Sequence, residues 1–118
     1  MDGAQLSAVG LDDSAAKQVE RLASVGLSAG IRGFVCSPLE VGLLRALAGP
    51  ETVLVIPGIR PAGAGVGDQK RVATPAAALQ QGANYLVVGR PITQAPDPAV
   101  AAESILTEIA VGLRKLPA

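Results

Sequence analysis

Apolar positions along the chain follow two patterns, and the first is helical. After the capping sequence Asp12-Asp13-Ser14, apolar residues recur every three or four positions, at Ala15, Val19, Leu22 and Ala23. This spacing predicts an amphipathic helix. Glycines at positions 26 and 30 predict that the helix ends near one of them.

The second pattern is a continuous apolar run of four or five residues, rich in β-branched side chains. Three such runs occur, and each predicts a strand: Gly33–Ser37, Thr52–Ile56 and Tyr85–Val88. Polar residues do not alternate within the runs, so the pattern predicts burial on both faces, as in parallel sheets. Within the first run, Cys36 is expected to be a small core residue.

Start and stop signals predict a helix after each strand. Ser37-Pro38-Leu39-Glu40 has the order of a capping box, with proline at the first helical position, and Gly49-Pro50 ends that helix. Two later helices are predicted at 74–81, ended by Gly82, and from Asp97-Pro98 toward Leu116, with Gly112 as a weak point. The alternation of helices and strands predicts right-handed parallel crossover units.

Three parallel strands leave both edges of a sheet open. Either further strands flank this sheet, or the protein is an unusually small three-layer α/β domain. A complete (β/α)8 barrel needs about 250 residues. The 118 residues can therefore hold about the last three and a half βα units of such a TIM barrel.

Composition and charge narrow the functional classes. Apolar residues make up 49% of the chain but aromatic residues only 2%, and ten basic residues balance ten acidic ones. This balance gives no general case for nucleic-acid or membrane binding. A single cysteine and the lack of a transmembrane-length run predict a soluble cytoplasmic protein. With no histidine in the chain, we expect no metal site.

The exception to the even charge is the segment 57–91, which carries Arg60, Lys70, Arg71 and Arg90 against Asp68 alone. Its glycine-rich loop follows the second strand, and Gly89-Arg90 follows the third, so both lie at carboxyl ends of strands. Two guanidiniums, the Gln69 amide and open backbone suit an anion such as phosphate. The alternative is a solvated loop with scattered cations, which we expect for Lys70 and Arg71 in either case.

The motifs "PGIRP", "GDQKR", "TPAAAL", "YLVVGRPITQAPDP" and "GFVCSPLE" resemble, in order and spacing, the C-terminal part of the bacterial orotidine 5′-phosphate decarboxylase family. The resemblance covers the whole chain, 1–118, and identifies it as a C-terminal part of a (β/α)8 barrel. It implies that Arg60, Gln69, Gly89 and Arg90 bind the substrate phosphate. The glycine-rich loop then corresponds to the family's lid over that phosphate.

The resemblance also implies a carboxy-lyase reaction in pyrimidine biosynthesis, orotidine monophosphate to uridine monophosphate plus CO2. The family works as a homodimer without metal or organic cofactor. Its catalytic Asp-Lys-Asp arrangement comes from early strands, and this sequence has no Asp-x-Lys-x-x-Asp pattern. We therefore expect no catalytic residue in this chain, and no activity without an N-terminal half.

The family often has a methionine directly after a Thr-Ser that touches the pyrimidine. Met1 is accordingly expected to be an internal residue of a longer protein. Three alternatives stay open from the sequence: an independently encoded half-barrel, a phosphate-binding or assembly module without chemistry, and a segment of a sister decarboxylase that acts on sugar phosphates.

Overall fold

A computed structural model describes residues 2–12, 14–63 and 72–114. After a short first helix, helices and strands alternate as the sequence predicts up to the third strand, which is followed by two helices. The elements are α1 Gly3–Ala8, α2 Ala15–Ser28, β1 Gly33–Val35, a 3₁₀ turn Pro38–Glu40, α3 Val41–Ala48, β2 Val53–Ile56, α4 Pro75–Gln81, β3 Tyr85–Leu86, α5 Arg90–Thr93 and α6 Pro98–Arg114.

The three strands form one parallel sheet in the order β1-β2-β3. Leu54 of β2 pairs with Phe34 of β1, and Ile56 pairs with Leu86 of β3. Each strand is shorter than its apolar run. The pairing of β2 with β3 nevertheless extends past Leu86, because the Val87 amide donates to the carbonyl of Ile56 at 2.9 Å. Parallel pairing brings the carboxyl ends of all three strands to one edge of the sheet.

Side-chain caps start the helices where the sequence predicts them. The hydroxyl oxygens of Ser14 and Thr74 accept from amides in the first turns of α2 and α4, and Asp97 does the same for α6. The α1 helix was not predicted. It begins with a capping box between Asp2 and Gln5, a signal that lies in the sequence.

The predicted capping box at Ser37 is wrong in its details. Ser37 makes no side-chain hydrogen bond to the backbone, and its hydroxyl donates instead to the carboxylate of Glu40. Pro38–Glu40 forms a 3₁₀ turn, and α3 begins only at Val41. Glu40 is 1% exposed, so the pair satisfies a buried carboxylate rather than the first turn of a helix.

The core lies between the sheet and the helices. Leu54 and Ile56 are fully buried on the helix-facing side of the sheet, where they form a core with Leu44 and Ala78. Cys36 belongs to the same core and is buried, as expected. The prediction of burial on both faces is wrong for this chain. Paired residues Val35, Val55 and Tyr85 point to the opposite face, where Val35 is 71% and Tyr85 64% exposed. No helix of the described residues packs on that face, so its apolar side chains meet solvent.

The amino ends of the strands are joined by one arginine. The Arg45 guanidinium donates to the carbonyls of Gly49, Thr52 and Gly82 at 2.6–2.9 Å and to Asn84 Oδ1 at 2.7 Å. Asn84 Oδ1 also accepts from the Leu54 amide at 2.8 Å. These bonds tie the end of α3 to the end of α4 and to the starts of two strands.

The last helix packs closely on α4. A Cβ added at Gly112 would collide with the Cβ of Ala76, and Gln80 Nε2 donates to the Gly112 carbonyl at 3.0 Å. The sequence predicts Gly112 as a weak point inside the helix. The structure shows a different role, because the missing side chain allows the two helices to approach each other.

Candidate functional site

The sequence-predicted residues Arg60, Gly89 and Arg90 lie at the carboxyl edge of the sheet. Arg60 follows β2, and Gly89-Arg90 follow β3, its parallel neighbour. Both arginines are half-buried. Sequence order alone cannot place these two loops side by side; the parallel pairing of β2 with β3 does so.

The base of the loop after β2 is closed by main-chain hydrogen bonds. The Arg60 amide donates to the Ala73 carbonyl at 3.0 Å, and the Ala73 amide donates to the Gly58 carbonyl at 3.3 Å. Ile59 forms an isolated parallel bridge with Ala73 and is 2% exposed. Gly58 has φ +73°, a conformation that glycine adopts without strain. The backbone that carries Arg60 is therefore anchored in the core.

A side chain of the last helix holds the same loop from outside. Glu108 Oε1 accepts from the Ala62 amide at 3.0 Å. The sequence pattern does not predict this contact. No local signal distinguishes Glu108, because a glutamate that binds a distant loop and a glutamate that only faces solvent occur in the same helical sequence pattern.

Gly89 and Arg90 begin the short helix α5. The Gly89 carbonyl accepts from the amides of Ile92 and Thr93 at 2.9 and 3.0 Å. Nothing lies within 4 Å of where a Gly89 Cβ would stand, so the backbone there borders open space. A residue that precedes proline usually favours an extended backbone, but Arg90 is the first residue of α5. Proline fits the second position of a helix, where its missing N–H costs no bond.

The Arg60 guanidinium makes no hydrogen bond or ion pair with residues 2–12, 14–63 and 72–114. A guanidinium carries five N–H donors in a planar fork that matches two oxygens of a phosphate. Gln69, Lys70 and Arg71 lie outside the described residues. This arrangement can therefore bind an anion through the positive charge of the arginine and its N–H donors.

Chemistry beyond binding has few candidate groups in the described part of the chain. No group of three or more acidic, cysteine or histidine side chains there could hold a metal ion. Lys17 is exposed in the first turn of α2. No described helix is long and apolar enough to cross a membrane.

The fold and the placement of these residues define a parallel α/β protein with a cationic carboxyl edge. The family described as "Orotidine 5′-phosphate decarboxylase / HUMPS family" matches residues 1–105. The chain belongs to that family, as the sequence motifs indicate.

Curated relatives carry the corresponding name. The orotidine 5′-phosphate decarboxylase of Thermobifida fusca is 53% identical over 109 residues, covering 92% of this chain and 47% of the relative. That of Rhodopseudomonas palustris is 58% identical over 92 residues, covering 78% and 39%. The chain thus spans about half the length of the curated relatives it matches.

Solved structures agree with the fold. The orotidine 5′-phosphate decarboxylase of Lactobacillus acidophilus superposes with a TM-score of 0.73 at 38% identity, over 92% of this chain and 44% of that one. The enzyme from Pyrococcus horikoshii gives a TM-score of 0.60 at 29% identity, over 77% and 41%.

Proposed function

We propose that this chain is the C-terminal half of an orotidine 5′-phosphate decarboxylase and supplies its substrate-phosphate site. Arg60, Gln69, Gly89 and Arg90 bind the phosphate of orotidine monophosphate. The observation that carries the proposal is the placement of Arg60 and Gly89-Arg90 on adjacent carboxyl ends in a member of this family.

We also propose that the three strands are the last strands of a (β/α)8 barrel, with residues 1–118 as a partial barrel. The exposed apolar face supports this, because the inner face of a barrel is filled by side chains from all strands. An apolar cleft of about 180 Å³ beside β1, between Phe34, Val35 and Leu22, supports an additional element at that edge.

In this proposal the reacting groups come from the missing half. The bond between the pyrimidine ring and its carboxylate breaks, CO2 leaves, and a lysine protonates the resulting carbanion. The present chain contributes at a distance, since phosphate binding energy orients the ring and is realised in the transition state. No metal or organic cofactor takes part, and the complete enzyme is a cytoplasmic homodimer.

The experiment is to express the protein together with the reading frame upstream of Met1 and to measure CO2 release from orotidine monophosphate. We expect turnover, and we expect orotidine without phosphate to react far more slowly. A protein that binds uridine monophosphate but releases no CO2 would contradict the proposal.

The open strand edges favour a second candidate, an assembly module that pairs with another copy of itself. The state of the isolated 118-residue chain separates the two. A cooperatively unfolding dimer would favour the module. An aggregating or molten chain would favour a fragment whose apolar face requires the other strands.

A further inference from the structure

The contact between Glu108 and Ala62 joins residues that are 46 positions apart in the sequence. It connects the last helix to the loop that carries Arg60. We propose that Glu108 is a positioning residue, which holds the backbone beside Arg60 so that the guanidinium is presented to a phosphate monoester. The ligand in this inference rests on the proposed function, and the tether rests on the observed contact.

The backbone of Arg60 is held on both sides. On one side, its own amide donates to Ala73 at 3.0 Å. On the other side, Pro61 has a fixed φ and links Arg60 to Ala62, whose amide is bound by Glu108. Few freely rotating backbone torsions remain between the two anchors. The Ala62 contact therefore restricts the position of the Arg60 Cα, from which the side chain extends.

Glu108 is presented by a helix whose own position is set. Gly112 lies one turn later on the same face of α6, where it packs against Ala76 and accepts from Gln80. Ile105, three residues earlier, is 6% exposed. The carboxylate therefore extends from a well-packed face and is half-buried. Glu103 is exposed on the same helix and serves as a matched control.

Glu108 could affect phosphate binding through its negative charge or through its hydrogen bond to Ala62, and these two mechanisms predict opposite effects. A carboxylate near a phosphate site repels the dianion, so if Glu108 acted through its charge alone, its removal would tighten binding. If it acts as a tether, its removal weakens binding, and glutamine restores it because the amide oxygen still accepts from Ala62.

The test uses the intact protein that contains this chain, with Glu108→Ala, Glu108→Gln and Glu103→Ala. The dissociation constant of uridine monophosphate is measured by calorimetry, and exchange of the Ala62 amide is measured by NMR. We expect Glu108→Ala to weaken binding about 3- to 10-fold, as the loss of one hydrogen bond does, and to speed Ala62 exchange. Glu108→Gln stays within about twofold, and Glu103→Ala is unchanged.

Unchanged or tighter binding in Glu108→Ala overturns the inference, and so does Ala62 exchange equal to that of the unmodified protein. Equal weakening by Glu108→Gln overturns the tether too. If the proposed function itself is wrong, the unmodified protein binds no uridine monophosphate, and this result distinguishes the two failures. In that case the phosphate role of Glu108 fails with it, and Ala62 exchange decides the tether alone.

Discussion

The two edges of the sheet use arginine in different ways. At the amino edge, Arg45 directs its donors to three main-chain carbonyls and to Asn84, all within the protein. At the carboxyl edge, Arg60 has its backbone anchored, but its guanidinium makes no hydrogen bond or ion pair in the part of the chain that the structure describes. An arginine whose donors are satisfied internally stabilises the fold, whereas one whose backbone alone is fixed can serve a ligand.

Arg90, the other arginine at the carboxyl edge, is expected to give the largest effect on ligand binding when it is changed to alanine in the complete enzyme. We expect a loss of about 2–4 kcal/mol of transition-state stabilisation, because a charge-assisted bidentate contact to the phosphate disappears. The measurement is kcat/KM for orotidine monophosphate, and the control is orotidine without phosphate. An equal loss on the phosphate-free substrate would show that Arg90 supports the fold or the ring site instead.

At the opposite edge, Arg45→Ala should lower the free energy of unfolding by about 2–3 kcal/mol. It removes the shared partner of the Gly49, Thr52 and Gly82 carbonyls, which are part of a half-buried network. Denaturant unfolding of the intact protein measures the change. The affinity of the folded protein for uridine monophosphate should stay the same. A large loss of affinity at unchanged stability would remove the distinction between the two edges.

A smaller effect is expected for Asn84→Ala, about 1–2 kcal/mol of unfolding free energy, because the Leu54 amide loses its acceptor. Combined with Arg45→Ala, the losses should be less than additive, since both side chains belong to one network. A double-mutant cycle measures this coupling. Full additivity would mean that the two residues act independently.

The smallest effects at the carboxyl edge concern the loop. Gln69→Ala should cost about 1 kcal/mol in kcat/KM, because a neutral amide contributes one ordinary hydrogen bond, while Lys70→Ala should be near zero. Both variants are compared with the unmodified enzyme on orotidine monophosphate. A larger effect of Lys70→Ala than of Gln69→Ala would reverse the assignment of the phosphate contact.

Much of the fold could be predicted from local signals. Caps at Ser14, Thr74 and Asp97 and the three apolar runs determine the order of helices and strands, since a cap or a β-branched run acts within a few residues. The motifs around Arg60 and Arg90 indicated the family. The 3₁₀ turn at Pro38–Glu40 was not predictable, because Glu40 is buried, and the burial of a side chain depends on the elements packed around the turn rather than on the local sequence.

The sequence by itself determined which residues can form strands, where helices begin and which side chains could bind an anion. Only the tertiary structure decided which faces are covered and which distant residues meet. Leu54 and Val35 belong to equally apolar runs, yet one is fully buried and the other is 71% exposed, because the helices pack on one face of the sheet. Likewise, Arg45 and Glu108 are ordinary charged helix residues until packing brings them to Gly82 and Ala62, since such contacts depend on where other elements lie.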